Sequence, residues 1–570
     1  MKKPLKILVW AAGIVVGLVV LALVIVTLVF DPNDYKDQIV AAVKNATGRE
    51  LKIDGKLSWT LFPWLGVKAE GLTLGNAPGF GPKPFAKVGA AGVSVRLLPL
   101  FAGRVNIDTL HVRDLALHLA KDAKGRSNWD FAGAEKPAPP TAPADKPAPG
   151  AALGAVAIGG IDIQNANVTY RDAAAGSAYA VRNLTLETDG VAFGRAVQTR
   201  LTGTLEYGKP ARQAKLALRT ALTVSEKSAA LRELNLKLDD STLTGAVEIT
   251  DLEKAALRFD LALDRIDLDR YLDTAPPEKT AKPAAATPAA APVAIPISTL
   301  RTLDAQGKLR IGSLKAMGIR SSDIAIQLAA RNGLLTLGPN TAKLYGGTYA
   351  GRTTLDVRPA KPQLTLDEQL NGVQLGPFLK DADLFDRYSG TGEVALKLRA
   401  QGLDAQQIKQ TLAGTARVDL RDGKIEGVNL QKLVTEARRL YDTARGKSVS
   451  VTPAASDETA FKSLHASAKV TNGLARTDDL KLDGPVVRAQ GGGSADLVRE
   501  ALDYRIQVTI AEGGERKGTT VPVRIGGTFA KPTYGVEFET ILKQEAERKL
   551  EETLEKKLDE KLDRLFRKKN

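Results

Sequence analysis

The chain has 570 residues, 25% charged and 44% hydrophobic, with a net charge of +15; it is long enough for several domains and too apolar for a disordered tail. The absence of cysteine excludes disulfides, thiolate metal sites and cysteine nucleophiles. Positive charge suits anionic lipid headgroups or nucleic acid, but aromatic content is only 5% and no dense Lys/Arg cluster marks the folded body, so nucleic acid is not expected as a partner.

"MKKPLK" precedes an uncharged run from Ile7 to Phe30, whose 24 residues would form a helix of about 36 Å, enough to cross a hydrocarbon core of about 30 Å. No small-residue cleavage site follows, which predicts an uncleaved signal anchor. Lys2, Lys3 and Lys6 before it, with Asp31 and Asp34 after it, predict a cytoplasmic N-terminus and the bulk of the chain across the membrane.

Asp31 and Pro32 then suit the cap and first turn of a short helix with Tyr35, Ile39, Val40 and Val43 on one face and Gly48 as its stop. In "LKIDGKLSWTLFPWLG" the residues Leu51, Ile53, Leu57, Trp59 and Leu61 alternate with polar ones as in a half-buried strand. Pro63 ends regular pairing or marks an edge. The apolar knot Phe62, Trp64 and Leu65 follows. With Trp59 it reads as a seal on the end of a core, since clustered aromatics are usually packed.

Strands dominate thereafter. "VSVRLL" (93–98) alternates; 104–120 alternates in two phases with a shift near Thr109 and Leu110; 257–272 keeps Leu257, Phe259, Leu261 and Leu263 on one parity before shifting to Ile266 and Leu268. Such shifts predict bulges or turns. His111 and His118 differ in parity, so a regular strand would point them to opposite faces and away from a shared metal. Pro/Ala-rich stretches at 133–152 and 274–292 read as exposed linkers or loops that need not separate independent domains.

Two repeats are visible. "VNIDTLHVRDLALHL" (105–119) matches "VAIGGIDIQNANVTY" (156–170) without a gap. "RIDLDRYL" (265–272), "GVQLGPFL" (372–379) and "GVNLQKLV" (427–434) each read as a strand end passing into a helix or turn, and Asp422-Gly423 reads as a hairpin signal. At the C-terminus Leu542, Ala546, Leu550, Leu554, Leu558, Leu562 and Phe566 recur every four residues, a stripe that drifts about 40° per step around a helix. It fits a helix wrapped on the sheet's end or on a partner. Its last turns, where Leu562, Leu565 and Phe566 precede Arg567, Lys568 and Lys569, instead fit an interfacial helix.

No catalytic constellation is visible: there is no phosphate-binding loop, zinc-protease motif or nucleophile elbow. "GGGS" at 491–494 reads as a strand kink. Asp264, Asp267 and Asp269 lack the parity and spaced glycine of a calcium loop and read as solvated strand positions. No cofactor, metal or enzymatic activity is expected.

The sequence resembles the AsmA family of Gram-negative envelope proteins. The likeness lies in the apolar run followed by 30–67, in "GRSNWDF" (125–131), "LDRIDLDRYL" (263–272), "AKLYGGTYAGR" (342–352) and "GTARVDLRDGKIEGVNLQKLV" (414–434), and in 473–497 and 521–534. The resemblance implies a mainly β fold. It implies an elongated, curled, groove-like antiparallel sheet; the N-terminal transmembrane helix, the short N-terminal helix and the charged amphipathic C-terminal helix are read from the residues themselves, and the resemblance says nothing of the last. The expected order is anchor (1–30), N-terminal β region (31–132), linker (133–154), middle β region (155–273), linker (274–297), C-terminal β region (298–535) and charged helix (536–570).

It further implies a single-pass inner-membrane protein, periplasmic in bulk. Such a protein would handle or transfer phospholipids between the inner and outer membranes along an apolar groove, with acyl chains, the inner membrane and other envelope proteins as partners. The resemblance then gives Trp59, Phe62, Trp64 and Leu65 a second reading, as the membrane-proximal mouth of the groove where lipid enters. The alternative is a scaffold or regulator of outer-membrane protein assembly. By sequence the apolar face could equally be closed by a second sheet.

Overall fold

The structure, a computed structural model, describes residues 31–60, 65–95, 107–131, 158–191, 193–208, 211–271, 297–383, 388–436, 449–450, 457–510 and 520–536, with 550, 553, 554 and 558. The anchor Ile7 to Phe30 and both Pro/Ala linkers lie outside these residues. No described helix is long and apolar enough to cross a membrane. The chain divides into two compact units, residues 1–265 with 270–273 and residues 266–269 with 274–570.

Unit 1 begins with a 3-10 turn (Pro32–Tyr35) and helix α1 (Lys36–Thr47), as the capping pattern predicts. Asp31 Oδ1 accepts the Asn33 backbone N–H at 2.9 Å, and that bond holds the carboxyl below its usual range. Gly48 ends α1 at φ 69°, a left-handed conformation that glycine adopts without strain. Twelve strands follow: β1 (Leu51–Ile53), β2 (Leu57–Thr60), β3 (Leu65–Leu74), β4 (Ala86–Val95), β5 (Ile107–Lys121), β6 (Ile158–Asp172), β7 (Ser177–Thr188), β8 (Val197–Tyr207), β9 (Arg212–Val224), β10 (Ala229–Leu238), β11 (Ser241–Asp251) and β12 (Ala256–Asp267). Both β1 and β2 pair with β3, and each later strand pairs with the next. The described part of the alternating run, 51–60, is thus two short strands on one partner.

All these pairs are antiparallel except β5–β6. Its register, Leu110↔Ile161 and Val112↔Ile163, reproduces the offset of the first sequence repeat, so the matched residues lie side by side. A parallel pair needs a long crossover, and residues 122–157, which contain the first Pro/Ala stretch, supply it.

The phase shifts are bulges. One lies where Val93 opposes Leu110 while Val95 opposes Ile107, near the shift expected at Thr109. A second seam runs through residues with positive φ: Asp114 (52°), Asn165 (56°), Asn183 (49°) and Glu233 (52°). Asp and Asn tolerate this region better than other residues with a side chain, and Asn165 Nδ2 donates to Asp114 Oδ1 at 2.5 Å. This seam corrects the expectation for the histidines: the extra residue at Asp114 restores parity and turns His111 and His118 to the same face. His111 Nδ1 lies 3.1 Å from Asp162 Oδ2.

Unit 2 holds β13 (Ala305–Ala316), β14 (Ile319–Arg331), β15 (Leu334–Leu344), β16 (Gly347–Asp356), β17 (Gln363–Gln374), β18 (Thr391–Gln401), β19 (Ala413–Glu426), β20 (Val449–Ser450), β21 (Glu458–Thr471), β22 (Leu474–Asp483), β23 (Val487–Asp496), β24 (Ala501–Ile510), β25 (Thr520–Gly527) and β26 (Pro532–Val536). Sequential neighbours pair antiparallel, except that β19 pairs with β21 and β20 lies beyond β26. Two copies of the second repeat end β12 and β17 and the third begins just after β19; they pass into the 3-10 turn Leu268–Arg270, the helix Leu375–Asp381 and a helix at 430–436. Asp422-Gly423 makes no hairpin. The strand β19 runs through it, with Asp422 at φ 48° as a bulge. Asp269 is no solvated strand position either: its carboxylate accepts the Met317 and Gly318 backbone N–H at 2.5 and 3.0 Å and pins the β13–β14 turn. The GGGS cluster lies inside β23 opposite a register shift between Thr477 and Leu480.

In most strands of both units one face is half-buried and the other exposed, as in β17 with its strict alternation. A second sheet would bury that face outright, so within each unit these strands form a curled layer rather than a sandwich. The exception lies in the last strands of unit 2. There Leu430, Leu433 and Val434 of the helix at 430–436 fill the curl against Leu420, Phe461, Val508 and Val523, all buried.

Candidate functional site: an apolar row and its mouth

The half-buried face of unit 1 carries one uninterrupted apolar row. In register it runs Leu57 (β2), Ala69, Ala91, Val112, Ile163, Leu186, Leu201, Leu218, Leu236, Leu243 and Leu263 (β12). Eleven strands at about 4.8 Å per step make it about 48 Å long. Leu57 is buried at 5% exposure, and the other ten are half-buried. A shorter row, Leu51, Leu74, Ala86, Leu117, Val168, Val181, Leu205 and Ala214, runs beside it.

At the β2 end the row meets a cavity of about 270 Å³ lined by Pro32, Tyr35, Ile39, Leu57, Trp59 and Val67. The N-terminal turn is fixed above it by polar bonds to the strand backbone. Asn33 Nδ2 donates to Leu57 O and Asn33 Oδ1 accepts from Leu57 N, each at 2.9 Å, and Lys36 Nζ donates to Gly55 O at 2.7 Å. Tyr35 and Ile39 remain 45% and 39% exposed, an apolar rim on α1 beside an apolar cavity.

Of the residues singled out by sequence, Trp59 lines this cavity. Leu65 begins β3 opposite Val95. Phe62 and Trp64 lie outside the described residues, so the knot itself is not placed. Tyr35 and Ile39 were legible only as one face of a helix; nothing local in the sequence announces that this face stays open.

Behind the mouth, "GRSNWDF" forms a clasp. The wholly buried Asn128 donates from Nδ2 to His118 O (2.7 Å) and Asn76 Oδ1 (3.0 Å) and accepts from Ala120 N at Oδ1 (2.8 Å). Its carbonyl takes a hydrogen bond from Arg49 Nη2. The Arg49 guanidinium packs against the edge-to-face pair Phe85 and Phe131, 4.6 and 4.4 Å from their centroids, and burial lowers its pKa. Cation–π attraction stands in for a carboxylate partner here. The clasp ties the end of α1 to the β3–β4 connection and the end of β5, which fixes the mouth on the row.

Among the described residues no cluster of His, Asp and Glu could hold a metal ion. Along the row the chemistry offered is apolar contact.

The AsmA family model matches residues 1–216 and 209–480. Protein AsmA of Escherichia coli (strain K12) is 21% identical over 585 aligned residues, covering 92% of each chain. No solved structure gives a significant match. With matches over most of its length to the family model, in addition to the fold just described, the chain belongs to the AsmA family.

Proposed function

We propose that this protein handles phospholipid in the cell envelope and that the unit 1 row is a wall along which acyl chains slide. The observation that carries this reading is the row of eleven apolar residues, ten half-buried and Leu57 buried, with no polar break. An acyl chain spans half of a hydrocarbon core of about 30 Å, and so covers about three strand spacings of the row. Each buried methylene contributes about 0.8 kcal/mol. Successive positions carry the same kind of residue, so a step of one strand exchanges like contacts for like and needs no chemistry to drive it.

Lipid would enter at the cavity under α1. The run Ile7 to Phe30 ends one residue before Asp31, so an anchor formed by it would deliver the chain from the bilayer to this mouth. On this reading the protein is a single-pass inner-membrane protein with its sheet in the periplasm, moving phospholipid between the inner and outer membranes. It is not an enzyme.

The test places a charge on the row. Leu218→Asp puts a carboxylate where about four methylenes would lie, forfeiting about 3 kcal/mol of lipid contact. Phospholipid co-purifying with the full-length protein should fall sharply, whereas Arg219→Asp on the exposed face should leave it unchanged. Equal lipid in all three proteins would contradict the proposal.

A further inference from the structure

The half-buried face of unit 2 has a polar interruption on β17. Leu364, Leu366 and Leu370 face that side, and Glu368 stands in line between them. Directly opposite on β16 is Gly351. Any Cβ at this position would collide with the Glu368 carboxylate and the Tyr349 hydroxyl, so glycine opens the space into which the carboxylate folds. Tyr349 Oη donates to Glu368 Oε2 at 2.5 Å and Thr353 Oγ1 donates to Oε1 at 2.7 Å. On the other side the same register continues into Leu396, Ala416 and Ala468. Burial, reinforced by the carboxylate, raises the Tyr349 pKa, which keeps the phenol a neutral donor.

Two hydroxyls satisfy part of the carboxylate's hydrogen-bonding capacity and none of its charge. Among the described residues no Lys, Arg or His side-chain nitrogen lies within 4 Å of the Glu368 carboxylate oxygens. A carboxylate on an apolar, partly shielded wall without a cation is costly, and the hydrogen bonds from Tyr349 and Thr353 hold it in place. What the site lacks is one positive charge that can donate hydrogen bonds to the open lone pairs.

We propose that Glu368, held by Tyr349 and Thr353 over Gly351, is a docking station for the ammonium group of an amine-bearing phospholipid. This inference rests on the lipid-handling reading and adds headgroup selection to it. An ammonium reaching the carboxylate makes a charge-assisted hydrogen bond in partial shelter from water, stronger than at an open surface. A phospholipid with an anionic headgroup meets like charge there. The expected preference for the amine-bearing headgroup is about tenfold.

The experiment purifies the full-length protein from membranes in mild detergent and measures bound phosphatidylethanolamine and phosphatidylglycerol by mass spectrometry, relative to the membrane they came from. The wild type should be enriched in phosphatidylethanolamine. Glu368→Gln keeps the shape and removes the charge: its oxygen still accepts from one hydroxyl, and its NH2 donates to the other, whose bond reverses; the bound ratio should fall to that of the membrane while total bound lipid is unchanged. Tyr349→Phe keeps the charge and should keep the preference, and Asp367→Asn on the exposed face should change nothing. An unaltered ratio in Glu368→Gln overturns the station. Equal loss of total lipid in Glu368→Gln and Tyr349→Phe assigns the cluster a structural role and also overturns it. Absence of lipid from the wild type overturns the underlying lipid-handling reading instead.

Discussion

Replacing Asn128 by alanine should loosen the mouth of the row selectively. The substitution keeps the backbone bonds of residue 128, including its N–H to Ala120 O at 2.9 Å. It removes three side-chain hydrogen bonds of an amide with zero exposure and leaves His118 O and Ala120 N without those partners. At a net of about 1 kcal/mol per bond the loss is about 3 kcal/mol, and the stranded backbone groups push it higher. Because the chain has two units, a single global unfolding free energy is not the right readout. Hydrogen exchange resolves the effect locally. A loss of 3 kcal/mol corresponds to an exchange rate about 100-fold faster at Ala120 and its β5 neighbours, with β21–β25 of unit 2 unchanged. Exchange near β5 within about threefold of wild type would refute the clasp as a source of stability.

Acid should act on unit 2 in part through two neighbouring carboxylates. The Arg417 guanidinium, with His465, holds Asp419 below its usual range, and the Ser467 hydroxyl and backbone N–H do the same for Asp479. Since both folded values lie below the unfolded ones, each group contributes stability above the unfolded value near about 3.9, lost as pH falls through the lowered folded value. The double variant Asp419→Asn, Asp479→Asn should therefore flatten the acid limb of unfolding below about pH 4; a profile identical to wild type would show that the pairs contribute nothing. At the mouth, Ile39→Asp places a charge on a rim residue already 39% exposed, so the fold should persist. Co-purified phospholipid should drop several-fold; undiminished lipid would rule out this cavity as the entrance.

Much of the β architecture was legible because burial on one face imposes a period of two. The alternation of Leu51, Ile53, Leu57 and Trp59 survives in the structure as half-buried or buried positions, and the three strand-to-helix repeats were readable as such. What escaped was long-range. The repeat at 105 and 156 was visible, but that its copies pair in parallel follows only from the crossover. The parity of His111 and His118 was misjudged because one residue with positive φ, Asp114, resets it, and aspartate carries no unique signal for that conformation. Asp422-Gly423 has the composition of a hairpin turn, but pairing with β21 on its far side carries the strand through. Glu368 looked like any polar residue in a strand. Its place between Leu366 and Leu370 on the half-buried face shows only once register is known. The row itself is a property of ten pairings, none of them local.

The central claim is that the half-buried face of unit 1 touches lipid. Its most direct test is a photoreactive residue placed singly at Val112, Leu186 and Leu236 on the row and at the adjacent exposed positions Arg113, Glu187 and Lys237, with crosslinking in intact cells followed by detection of phospholipid adducts. Adducts at the three row positions and none at their neighbours are expected. Adducts at neither set, or equally at both, would contradict it.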